Sequence, residues 1–125
     1  MTIEVKLNTD GLDKLIKESP LKVDQAVRAT AFFVEAIAKT MSPVATGANR
    51  SSIYTKTSQG VNGTPGELGD ILPAVQIGEA VVGPSMGYSI FLEFGTSRMP
   101  ARPFLTPAAE QAPKYFETVI KQVFE

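Results

Sequence analysis

The sequence predicts an α+β fold: a small antiparallel sheet packed against one long helix, with a C-terminal helix and a long glycine-rich loop. Three observations predict it. Apolar residues recur at helical spacing from Val23 to Met41. Two β-rich runs, Ser52–Thr57 and Ala74–Gly83, flank a stretch carrying Gly60, Gly63, Gly66 and Gly69. A second apolar face returns near the C-terminus, at Tyr115, Phe116, Val119, Ile120, Val123 and Phe124. The 125 residues suit a single domain spanning 1–125.

Taken in order, Ile3, Val5 and Leu7 alternate with charged or polar residues, which predicts a half-buried strand. Asn8 to Gly11 predicts a turn, and Asp10 caps a short helix through Leu12, Leu15 and Ile16. Ser19 then caps the long helix, with Pro20 at its first position and Pro43 just beyond its end near Met41. Val23, Val27, Thr30, Val34, Ile37 and Met41 form one row; Ala26, Ala29, Phe33 and Ala36 form another. Such a wide surface is open to two readings, a core spine under the domain's own sheet or a face partly turned to another subunit.

So many glycines and prolines between Ser58 and Pro73 predict a long mobile loop, about 58–73, that either orders on assembly or is a plain hairpin tip. Tyr88 to Phe94 is short and apolar, helix or strand, and ends at Gly95. Ser97 to Pro103 is a proline-flanked loop. From Phe104 the chain is expected to be mostly helical, with Pro107 in the first turn and Pro113 kinking or restarting the helix.

Composition excludes much chemistry. The chain has no cysteine and no histidine, which removes disulfides, thiolate nucleophiles, imidazole triads and Cys/His zinc sites. Its net charge of −1 gives no broad cationic surface for phosphates. The glycine-rich stretch lacks the Lys-Ser/Thr ending of a phosphate loop, Ser51, Ser52 and Ser97 have no histidine to activate them, and Lys39 reads as a solvated charge near a helix end. No catalytic, cofactor or metal site is expected, and the protein reads as a non-enzyme. No window approaches the ~20 apolar residues of a membrane span, and the start of the chain lacks a signal peptide's apolar run, so a soluble protein without a membrane partner is expected.

Three blocks are organised for shape. Pro43 to Ile53 stops a helix and turns into a strand through Gly47; Tyr88 to Thr96 sets one carboxylate, Glu93, in an apolar run; Met99 to Ala108 brackets Arg102 with prolines. Glu93 needs a partner, and two readings stand: a bidentate pair with Arg102 or Arg98, within one subunit or between two, or a pair of exposed charges worth little.

In order and spacing these blocks resemble a family of small siphophage proteins named after the tenth gene product of coliphage HK97. Its members are head–tail joining, neck or tail-completion proteins. Pro43, Thr46, Gly47, Arg50, Ser52 and Ile53 match its first block. Tyr88, Phe91, Glu93, Phe94, Gly95 and Thr96 match the second. Ala101, Arg102, Pro103, Phe104, Leu105, Pro107 and Ala108 match the third. Asn49, where the family usually has an apolar residue, and Thr106, where it often has a basic one, depart from the pattern.

The resemblance implies a virion protein made in the host bacterial cytoplasm and placed at the head–tail interface. It implies a six- or twelve-fold ring of identical copies, in contact with neighbouring neck and tail proteins. DNA would be passing cargo, read without sequence recognition, in a channel lined by the ring. Candidate subunit-interface residues are Thr46, Gly47, Arg50, Tyr88, Glu93, Phe94, Gly95, Thr96, Arg98, Arg102, Pro103 and Phe104, with Gly60, Gly63, Gly66 and Gly69 in a flexible assembly loop. The alternative is a small prophage-encoded protein-binding or regulatory module.

Overall fold

A computed structural model of the protein describes residues 17–42 and 47–124. The strand expected at Ile3–Leu7, the short helix through Leu12 and Ile16, and Pro43 to Thr46 lie outside the described residues. The order of elements is α1 (Pro20–Met41), α2 (Ala48–Ser52), β1 (Tyr54–Thr57), β2 (Gly60–Asn62), β3 (Ala80–Gly83), α3 (Ser89–Phe94), α4 (Leu105–Glu110) and α5 (Ala112–Val123). The fold is α+β, with a small antiparallel sheet beside one long helix.

The helix α1 starts at Pro20, where a missing N–H is harmless, and ends before Pro43. The Ser19 side chain makes no capping bond; its backbone carbonyl instead accepts from Lys22 and Val23. The two halves of α1 bury different things. Val23 and Ala26 pack with Phe116, Val119 and Ile120 of α5. Val34 and Ala38 join Ile53, Phe104, Leu105, Ala108 and Ala112 in a second cluster, against which Val82 of β3 and Leu92 of α3 also pack. Most of the apolar stripe is therefore core, with Ala36 and Met41 exposed, and its cover is chiefly the C-terminal helices and not the sheet alone. Phe33 adds a stacked contact with Tyr115, ring centroids 4.0 Å apart.

The sheet meets α1 through carboxylates. Glu35 accepts from the Thr55 hydroxyl at 3.0 Å and from the Asn62 amide at 3.2 Å. Three turns earlier, Asp24 accepts from Arg28 at 3.1 Å, the Ser58 hydroxyl at 2.7 Å and the Gly78 N–H at 2.7 Å. Both acids are buried and compensated by hydrogen bonds, as buried charges must be. The strand order is β2-β1-β3, with Thr55 opposite Asn62 on one side and Val82 on the other.

Three expectations are corrected here, and the open reading of Tyr88–Phe94 is resolved. Residues 48–52, expected to lead directly into a strand, close a short helix first, with Gly47 at φ 74° ahead of it. The strand expected over Ala74–Gly83 is confined to Ala80–Gly83, because Gln76 to Glu79 form a turn closed by the Glu79 side chain. Tyr88–Phe94 resolves as helix. The segment expected to be mobile holds strand β2 and is then fastened to the far face of the sheet. Strand alternation turns Tyr54 and Lys56 away from Thr55 and Thr57, toward this segment. The Tyr54 hydroxyl donates to Asp70 at 2.8 Å and accepts from the Ile71 and Leu72 N–H groups at 2.8 and 2.9 Å. Lys56 donates to Asp70 at 3.0 Å and to the Leu72 carbonyl at 3.3 Å. Near the other end of the chain, Pro113 restarts the helix as expected: α4 stops at Glu110 and α5 begins at Ala112.

Phe104 has 0% exposure and lies between α1 and α4. Phe104→Ala is expected to lower unfolding free energy by about 3–5 kcal/mol, read from urea denaturation, as for other buried phenylalanines. An unchanged midpoint would return Phe104 to the surface role that the motif suggested.

Candidate functional site

The second and third motif blocks come together around Glu93. On α3, Ser89 and Glu93 lie one turn apart and face inward, so Ile90, Phe91 and Phe94 face outward. The expected ion pair of Glu93 with Arg102 or Arg98 is not what the structure contains. Glu93 Oε2 accepts from the Phe104 and Leu105 N–H groups at 2.8 and 3.0 Å, and Oε1 accepts from the Thr106 N–H at 2.6 Å. Residue 107 is proline and has no N–H. One carboxylate thus satisfies every backbone donor from Phe104 to Pro107 at the start of α4, where helix N–H groups have no intrahelical partner.

Arg102 is exposed and contributes its backbone N–H to the Leu92 carbonyl at 2.7 Å. Arg98 is exposed too, its N–H donating to the Thr96 hydroxyl at 3.2 Å. Backbone donors win because the 97–103 loop returns the chain so close to α3 that the start of α4 arrives beside Glu93. The return requires Gly95. Its φ is 77°, and a Cβ there would lie 2.7 Å from the Ala101 nitrogen. Thr96 and Met99 then close the turn with a pair of backbone bonds of 2.8 and 3.3 Å.

Burial by itself would raise the Glu93 pKa. Hydrogen bonds from Thr106, Phe104 and Leu105 outweigh it and hold the carboxyl below its ordinary value. A depressed carboxyl stabilises the fold fully above the unfolded-state pKa and loses that contribution as pH falls through the native one.

The first block joins the site through a polar chain. Asn49 is buried and donates to the Ser42 hydroxyl at 2.8 Å, while the Ser89 hydroxyl donates to its side-chain oxygen. Ser52 donates to the Asn49 carbonyl at 2.7 Å and accepts from the Ser85 N–H at 3.2 Å. The Ser85 hydroxyl donates to the Gly69 carbonyl, tying the chain to the glycine-rich segment. Asn49 and Thr106, the two departures from the family pattern, are both hydrogen-bonded members of this arrangement.

The sequence candidates therefore divide. Glu93 and Phe104 are turned inside the subunit. Gly47, Arg50, Tyr88 and Gly95 are half-buried, and the Arg50 Nε is buried with no hydrogen-bond partner among the described residues. Phe94, Thr96, Arg98, Arg102 and Pro103 are exposed. Thr46 lies outside the described residues. Of the glycines, Gly60 belongs to β2, while Gly66 packs against Ser52 and Met86.

Sequence reasoning missed the outward face of α3 and what adjoins it. Phe94 and Phe91 are 63% and 52% exposed, and Ile90 is exposed beside them. A shallow groove of about 110 Å³, lined by Leu68, Ile71, Pro84, Met86 and Ile90, runs between α3 and the fastened segment. The available signal was the placing of Ile90, Phe91 and Phe94 at helical offsets from Glu93, legible once that segment is known to be a helix. Such a surface suits association, since contiguous exposed apolar patches mark interfaces. The buried carboxylates Asp24, Glu35 and Glu93 are all engaged by hydrogen bonds within the subunit. No helix among the described residues is long and apolar enough to cross a membrane.

Comparison with known proteins finds no matching family model, no matching curated protein and no matching solved structure.

Glu93→Gln is expected to cost about 1–3 kcal/mol at neutral pH, because buried backbone donors lose a charged acceptor. The difference between variant and wild type should shrink as pH falls from about 6 toward 3, through the carboxyl range, in urea midpoints measured at each pH. A pH-independent difference would mean that the charge does not cap α4. Arg102→Ala should leave the midpoint within about 0.5 kcal/mol of wild type, as expected for an exposed residue.

Proposed function

We propose that this chain is a structural virion protein of a tailed bacteriophage. It forms a ring in the neck between head and tail, as a head–tail joining or tail-completion component. The observation that carries the reading is the exposed apolar face of α3, Ile90, Phe91 and Phe94, held out by the inward Glu93. This face belongs to the block that resembles the siphophage neck family, where an aromatic precedes Glu-Phe-Gly-Thr. A face of this kind on a 13.4 kDa chain is suited to contact between protein surfaces.

In such a ring the six or twelve copies surround a channel, and DNA passes without being read. A net charge of −1 fits that role, since a strongly cationic wall would hold phosphates through counterion release and slow transit. The alternative, a small prophage-encoded binding module, would use the same apolar face for a single partner.

Two measurements test the reading. Mass spectrometry of purified virions from a producing strain should find the chain in several copies per particle; its absence from particles would end the proposal. Phe91→Asp combined with Phe94→Asp should leave the melting temperature within a few degrees of wild type, because both side chains are surface-exposed. The same pair of changes should abolish incorporation into particles.

A further inference from the structure

We infer that residues 63–77 form a strap that lifts off the sheet as one unit while the rest of the domain stays folded. The inference stands without the ring reading. Both ends of the strap are pinned to α1 through its buried acids. At one end the Asn62 amide donates to Glu35 at 3.2 Å, and at the other the Gly78 N–H donates to Asp24 at 2.7 Å. A glycine with positive φ stands at each pinned end, Gly63 at 96° and Gly78 at 88°. Glycine absorbs a backbone rotation there that other residues resist, which is the property a hinge needs.

The middle of the strap is held by polar contacts. The Tyr54 hydroxyl and the Lys56 ammonium engage Asp70, Ile71 and Leu72. On the other flank the Leu68 N–H donates to the Ser85 carbonyl at 3.0 Å, and the Gly87 N–H donates to Glu67 at 2.9 Å. No strap residue joins the sheet ladder, which breaks off at Asn62 and resumes at Ala80. Among the described residues of the strap only Leu72 is buried, while Leu68, Ile71 and Ile77 are exposed. A segment attached by hydrogen bonds and one buried leucine gives up little apolar burial when it lifts. Moving α1, by contrast, opens both core clusters. Opening of the strap therefore lies below global unfolding in free energy.

Lifting changes the surface. Leu68 and Ile71 leave Ile90, so the groove beside α3 exists only while the strap is down. The buried Tyr54 comes into reach of solvent at the same time. Its hydroxyl is the latch, because contacts from three successive strap residues converge on that one atom.

Amide hydrogen exchange of the full chain, followed residue by residue by NMR, tests the strap. Leu68 reports on the whole unit, because its own bond to Ser85 does not involve Tyr54. In the wild type, Leu68 and Leu72 should exchange about a hundredfold faster than Val34 and Ala38 of α1. Tyr54→Phe should speed exchange at Leu68 by about tenfold, since the lost hydroxyl leaves two backbone donors without an acceptor. Val34, Ala38 and the pinned Gly78 should be unchanged. Lys56→Met, which spares the buried hydroxyl, should shift the same amides in the same direction and carries the test should Tyr54→Phe fail to fold. Acceleration confined to Ile71 and Leu72 would mean that the contacts open separately. Equal acceleration at Val34 and Ala38 would mean that the strap opens only with the whole domain. Either result overturns the proposal.

Discussion

One carboxylate organises the surface on which the proposed function rests. Glu93 occupies the position where α3 ends and α4 begins, and it takes the Phe104, Leu105 and Thr106 N–H groups together. Those donors would otherwise be buried without partners, at a cost comparable to a lost hydrogen bond for each. The demand fixes the rotation of α3. With Ser89 and Glu93 inward, the 100° step per residue leaves Ile90, Phe91 and Phe94 nowhere to go but out. Gly95 and the tight Thr96–Met99 turn make the return path short enough for the cap to form.

The same economy of polar groups runs through the molecule. The helix α1 divides its circumference among three environments. One side meets α4, α5 and Phe104 through apolar contacts; a second meets the sheet through Asp24 and Glu35; the third faces outward with Phe32. Buried acids on a helix facing a sheet are unusual unless each oxygen is engaged. Here threonine, serine and asparagine side chains and a backbone N–H supply the partners. These acids serve as fasteners between layers.

The glycine-rich segment fits the same account. Its role within the subunit is to cover the face of the sheet that α1 leaves free, with the Tyr54 hydroxyl as its anchor. Having been fastened there, it presents Leu68 and Ile71 next to Ile90 and creates a groove that neither segment has by itself. The motif blocks that resemble neck proteins are therefore divided, with Ile53, Glu93, Phe104 and Leu105 buried as internal architecture and Phe91, Phe94, Arg102 and Pro103 exposed. Their product is a shaped, partly apolar exterior.

Periodicity alone determined the long helix, because its 22 residues give enough turns for the 3.6-residue repeat to show. Proline chemistry placed its start and the restart of the C-terminal helix, since a residue without an N–H fits only in a first turn. The α+β class followed from these and the β-rich runs. The partner of Glu93 was not legible. An acid near two arginines in sequence suggests an ion pair, but only the folded path brings three backbone donors closer than either guanidinium. Nor was the outward face of α3 legible, as six residues are too few to separate helix from strand by pattern. The fastening of the glycine-rich segment depends on a tyrosine hydroxyl more than fifteen residues away, a contact made by tertiary structure and invisible to any local rule.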